Sequence, residues 1–147
     1  MKHGYFYTQE LVPPEIFEVY EESSIRWINP KSLESLNALR CFLNKPIHVN
    51  TYLWDHDVET SCKYSGLRIQ LKSVDQYSGT RFARLSEHYF GNAFDAKVIG
   101  MDAQEVRGII VAKRDIFPHI TRIEKRVEWL HFDCKETGEE EIVLFNP

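Results

Sequence analysis

The chain has 147 residues, enough for one domain with a core that needs no covalent staples. Hydrophobic residues make up 43% and charged residues 27%, a balance that excludes a disordered tail and a bundle of membrane spans. A net charge of -4 argues against nucleic acid as a partner, because phosphate binding needs a basic surface, and it removes any general attraction to an anionic membrane.

Residues 1–6 lack an apolar stretch behind the basic Lys2. No signal peptide is expected, and the product is expected to be made in the cytoplasm. Pro13-Pro14 punctuates the start, and Pro14 suits the first turn of a short helix over 14–22. A stronger helix is predicted over Pro30–Leu43, with Asn29 as N-cap, Pro30 in the first turn and Asn44 and Pro46 as the stop. Its apolar face is Leu33, Leu36, Leu39 (or Arg40) and Leu43. An alternating strand over 47–52 follows, then an irregular stretch over 53–85 that carries Arg68.

Residues 92–98 read as a strand, with Ala93, Asp95 and Lys97 on one face and Phe94, Ala96 and Val98 on the other. The next helix starts at Asp102, with Glu105 as its capping-box partner and Val106, Ile109 and Ile110 as its buried stripe. Strands are predicted over 120–123, 129–133 and 142–145. In the second of these, Leu130 and Phe132 enter the core, so Trp129, His131 and Asp133 face the other way. This order of elements predicts a single α+β domain over 1–147, with a mostly antiparallel sheet flanked by helices.

Three cysteines, Cys41, Cys62 and Cys134, form no disulfide framework. Cys41 falls in the second helical pattern and is expected in the core. Cys62 and Cys134 lie near the chemistry described next, but neither belongs to a Cys-x-x-Cys pair, and both are read as structural.

Two segments carry that chemistry. Residues 86–95 read Ser-Glu-His-Tyr-Phe-Gly-Asn-Ala-Phe-Asp, and residues 128–131 read Glu-Trp-Leu-His. They offer two imidazoles (His88, His131), a carboxylate ligand (Asp95) and a spare carboxylate (Glu128). A catalytic zinc site uses three protein ligands, an open position and a base. An odd spacing separates His88 from Asp95, so on one continuous strand they would face opposite sides. They converge only if the chain bends between them, and Gly91 tolerates the backbone angles such a bend requires. Glu128 and His131 likewise demand a turn just before Trp129. His3, His48, His56 and His119 have no supporting pattern and are taken as non-ligands.

The first segment fits Ser-x-His-x-x-Gly-x-Ala-x-Asp and the second Glu-x-x-His. In this it resembles the zinc D-Ala-D-Ala carboxypeptidase family, peptidoglycan metallopeptidases that share a core fold with lysostaphin-type peptidases and the hedgehog signalling domain. Ser65-Gly66-Leu67-Arg68 is similar to that family's Ser-Gly-Tyr-Arg. The resemblance runs from about Leu36 to the C-terminus, and residues 1–30 match poorly. It implies a zinc ion on His88, Asp95 and His131, with Glu128 as general base. It further implies Arg68 as clamp for substrate and oxyanion, Ser86 as a substrate contact or a prop for His88, and a peptidoglycan stem peptide as substrate. With no leader, it also implies a phage or prophage product released to the wall or carried in a virion. Read without the resemblance, the same residues leave open a structural ion pair for Arg68, a solvated Glu128 and a plain turn Ser86. They also leave open a place for Asp133 either beside a ligand histidine, orienting it, or on the surface, and a cleft or a core place for Tyr89, Phe90 and Trp129. Two departures bear on substrate contacts. Leu130 separates Trp129 from His131 where the family often has Trp directly before His, and Leu67 stands where Tyr is common. A binding or virion protein that keeps the fold, and a zinc amidase or peptidase with a substrate outside the wall, are the alternatives in function.

Overall fold

The structure, a computed structural model, describes residues 1–50, 65–68 and 86–147. The expectations for 51–52, for Cys62 and His56, and for most of the 53–85 stretch lie outside the described residues.

Strands β1 (Lys2–His3) and β2 (Phe6–Tyr7) make an N-terminal hairpin. The other strands, β3 (Ile47–His48), β4 (Ala93–Val98), β5 (Arg122–Glu124), β6 (Leu130–Asp133) and β7 (Val143–Phe145), form one sheet in the order β3-β4-β6-β5-β7. Every pairing in it is antiparallel except that of β5 with β7. Helices α1 (Pro14–Tyr20), α2 (Pro30–Leu43) and α3 (Ala103–Ala112) complete an α+β domain; α2 packs against β4, and α3 against β4 and β6. No helix among the described residues is long and apolar enough to cross a membrane.

Capping chemistry sets the helix limits. Asn29 Oδ1 accepts a bond from the Lys31 amide at 2.9 Å, Pro30 occupies the first turn, and Asn44 ends α2 in the left-handed region at φ 49°. Asp102 Oδ1 accepts from the Glu105 amide at 2.9 Å and starts α3. The core is one cluster in which Leu36 and Leu39 of α2 meet Phe94 and Val98 of β4, Ile123 of β5 and Leu130 and Phe132 of β6.

Four local expectations need correcting. The strand predicted over 120–123 pairs over Arg122–Glu124, because its apolar residues mark the approach to the sheet while the pairing continues into polar Glu124. The strand predicted from residue 47 pairs only over Ile47–His48 among the described residues. Cys41 is exposed, since it lies off the stripe of α2 that buries Ser32, Ser35, Leu36 and Leu39. In α3 the buried set is Val106, Arg107 and Ile110, with Ile109 half-buried. Arg107 is inside because its guanidinium has backbone work: Nε donates to the Glu124 carbonyl at 2.9 Å, and Nη2 to those of Trp129, at 2.8 Å, and Val127. It thereby clips both ends of the β5–β6 connection.

The bend required between His88 and Asp95 is present. A 3-10 turn over Glu87–Phe90 ends at Gly91, at φ +67°, and β4 begins two residues later. The Gly91 carbonyl takes bonds from the Asn29 amide at 3.0 Å and from Ser32 Oγ at 2.7 Å, which ties the turn to the start of α2. A Cβ on Gly91 would overlap the Trp27 carbonyl oxygen, so two independent constraints select glycine there. Gly91→Ala should lower the unfolding free energy by at least ~2 kcal/mol in urea titrations, whereas Gly138→Ala should cost only about 1 kcal/mol, from backbone strain alone. Gly138 also has positive φ but open space around it. Equal costs would show that contact with Trp27 is not the deciding constraint.

Candidate metal centre

Sheet register places the ligands. In the β4–β6 pairing Asp95 is directly opposite His131, and both side chains stand on the face away from Phe94, Leu130 and Phe132, which are buried in the core. His88 reaches the same point from the 3-10 turn. One ligand atom from each of His88, Asp95 and His131 lies within 4.8 Å of the other two. His131 Nδ1 is 2.7 Å from Asp95 Oδ1, and His88 Nε2 is 3.3 Å from both Asp95 Oδ1 and His131 Nδ1. Ligands bonded tetrahedrally to a small divalent ion sit about 3.4 Å apart, so the set closes on such an ion with small adjustments.

The second nitrogen of each imidazole is also held. His88 Nδ1 lies 2.7 Å from the Gly66 carbonyl oxygen. A carbonyl can only accept, so Nδ1 donates to it, and Nε2 is the nitrogen turned toward Asp95 and His131. His131 Nε2 lies 3.4 Å from Asp133 Oδ2, which leaves Nδ1 for the metal. Asp133 is fully buried and braced by Arg122, whose Nε and Nη2 donate to its carboxylate at 2.9 and 2.7 Å. Of the two roles left open for Asp133 the structure selects the orienting one, and it adds Arg122, which the sequence reading had not singled out. Such outer carboxylates fix ring orientation and raise the ligand's basicity.

Ser65–Arg68 is the second brace. The Asn50 carboxamide oxygen accepts from the Ser65 and Gly66 amides at 3.0 and 3.1 Å, and the Leu67 amide donates to the Leu11 carbonyl at 2.8 Å. A Cβ on Gly66 would overlap that same Leu11 carbonyl, which accounts for glycine where this strap crosses. From the strap, the Ser65 carbonyl takes the Asp95 amide at 2.7 Å, the Gly66 carbonyl takes His88 Nδ1, and Arg68 Nη2 donates to Asp95 Oδ2 at 2.6 Å. The short motif thus touches two of the three ligands. Leu67 is buried in the core, so the position where the family has Tyr is not at the cavity surface.

A cavity of about 670 Å³ opens over the site, with Arg68, Ser86, Glu124, Trp129 and Lys135 among its lining. Ser86 caps the 3-10 turn, its Oγ accepting from the His88 amide at 3.4 Å, so it positions His88 through the backbone. Trp129 lines the cavity, Phe90 is exposed and Tyr89 half-buried. Glu128 lies on the bend over 126–129, where the required turn occurs; its side chain is exposed and does not line the cavity. Glu124 does: Arg122 and Glu124 flank the core residue Ile123 on β5, Glu124 pairs in register with His131, and its Oε2 is 4.0 Å from His131 Nδ1. The polar–apolar–polar alternation over 122–124 was the signal that could have disclosed it. His3, His48 and His119 lie outside the ligand set, and Cys134 is a buried thiol that burial pushes up to about 11, consistent with a structural role.

No family model, curated protein or solved structure matches the chain. The site therefore rests on its own geometry.

Charge completes that geometry. Burial disfavours ionised Asp95, but hydrogen bonds with His131 and His88 outweigh it and hold the carboxyl well below the usual range. Burial likewise opposes a charged His131, yet its bonds to Asp133 and Asp95 prevail and raise its pKa to about 9. His131 therefore carries a proton below about pH 9, and a cation on Nδ1 must displace it. Zinc binding at about pH 7.5 should release close to one proton, read by calorimetry in buffers of different ionisation enthalpy. A release near zero would mean that His131 meets the cation already deprotonated. Asp133→Asn should weaken zinc binding by about 10–100-fold.

Proposed function

We propose that the chain is a zinc-dependent peptidase that hydrolyses amide bonds in peptidoglycan stem peptides, with a D-Ala-D-Ala link or a neighbouring bond as target. The observation that carries the reading is the convergence of His88, Asp95 and His131 at the floor of a cavity large enough for a peptide segment. The family motifs that supply those three residues point to wall peptides as the substrate. A zinc ion held there would supply a Lewis acid able to polarise an amide carbonyl and lower the pKa of water.

The chain's own residues divide the remaining work. Asp95 uses Oδ1 toward the metal position and Oδ2 toward Arg68, so the guanidinium is fixed at the cavity wall by a ligand. A fixed, permanently charged guanidinium suits the oxyanion of a tetrahedral intermediate or a substrate carboxylate. Lys135, paired with Glu87 at 3.5 Å, lines the same cavity. Proton transfer falls to a glutamate: the motif offers Glu128, and the cavity offers Glu124.

A second reading is a metal-holding binding or virion protein without turnover. The exposure of Glu128 favours it, because the motif's base is not in the cavity. Purified protein incubated with zinc and wall fragments separates the two. On the peptidase reading new amino termini appear by mass spectrometry, chelation abolishes them and zinc restores them. No cleavage across several wall types would overturn the wall-peptide reading and favour the second. Arg68→Lys should retain zinc and lose about a hundredfold in kcat/KM; full activity would remove the guanidinium from the mechanism.

A further inference from the structure

We infer that Glu124, and not the motif glutamate Glu128, is the carboxylate that serves the reacting water. The inference rests on the peptidase reading of the same site.

Three observations converge on Glu124. The first is register: Asp95 on β4 and Glu124 on β5 each pair with His131 on the β6 strand between them, a single row across the sheet. A strand fixes a side chain more tightly than a bend does. The second is commitment. Of the three side-chain carboxylates that the described residues bring to the cavity, Asp95 is bound to Arg68, and Glu87 to Lys135 and Asn92. The only ion-pair contact of Glu124 among the described residues is His131 Nδ1, the nitrogen aimed at the metal position, at 4.0 Å. Its side chain is 15% exposed, which leaves it open to the cavity and sheltered from bulk solvent. The third is the clip on the connection that carries Glu128. Arg107 holds the carbonyls of Glu124, Val127 and Trp129 together, so carrying the backbone at Glu128 toward the cavity would require breaking bonds to a buried guanidinium.

The step balances with water as the only co-reactant. Glu124 Oε2 accepts one proton from water as the water oxygen bonds to the amide carbon. It returns that proton to the nitrogen as the C–N bond breaks. The second proton of the water leaves with the new carboxylic acid as it ionises.

The test compares Glu124→Gln, Glu124→Asp and Glu128→Gln, each loaded with zinc for turnover and with cobalt(II) for its visible spectrum. Glu124→Gln is expected to keep a full complement of zinc, to lose about 100-fold or more in kcat, and to shift the cobalt bands. Glu124→Asp, which keeps the carboxylate, should recover part of that turnover. Glu128→Gln should leave the cobalt spectrum of the unmodified protein and cost at least tenfold less in kcat than Glu124→Gln. The assignment is overturned if Glu124→Gln leaves spectrum and turnover unchanged, if it loses zinc, or if Glu128→Gln produces the larger loss. Should the unmodified protein cleave no wall peptide, the peptidase reading fails, and the cobalt spectra still decide which glutamate faces the metal.

Discussion

The arrangement depends on one antiparallel pairing, β4 against β6, which sets Asp95 opposite His131 with Oδ1 and Nδ1 2.7 Å apart. A one-residue slip of either strand would turn its own site residue, Asp95 or His131, to the core face and its own core residues, Phe94 or Leu130 and Phe132, to the site. Burying those three residues therefore selects the register, and the register sets Asp95 against His131 in the group that could hold an ion. Stability and site geometry share one cause.

What the sheet does not provide, two braces supply. The Ser65–Arg68 strap fixes His88 through Nδ1 and Asp95 through its amide and Oδ2. The Arg122–Asp133 pair holds His131 from the other side. All three ligands thus have a second contact that orients them, and the resulting hydrogen bonds hold opposite charges on Asp95 and His131. A cation entering this set would exchange with the His131 proton.

Much of this was legible in the sequence wherever the signal was local. Asn29-Pro30 and Asn44 bracketed α2 because caps act on their own helix. The odd spacing of His88 and Asp95 required a bend, and Gly91 marked it, because that is covalent geometry. The three candidate ligands were named from their motif, and the structure brings them together as a group that could hold an ion. What stayed hidden depends on contacts distant in sequence. Arg107 sits in the apolar face of α3 because carbonyls some twenty residues away need a donor. Glu124 gains its place only when β5 pairs with β6, and Arg122 acquires a role only through buried Asp133. Cys41 shows the converse: membership of a helix says little about burial until the buried stripe is located.

The central claim is that one small divalent ion is held jointly by His88, Asp95 and His131. Anomalous diffraction from zinc-loaded crystals, recorded on both sides of the zinc edge, tests it most directly. The account predicts one strong peak roughly 2.0–2.2 Å from His88 Nε2, His131 Nδ1 and an Asp95 carboxylate oxygen. A zinc peak elsewhere, or none at this position in zinc-saturated protein, would contradict it.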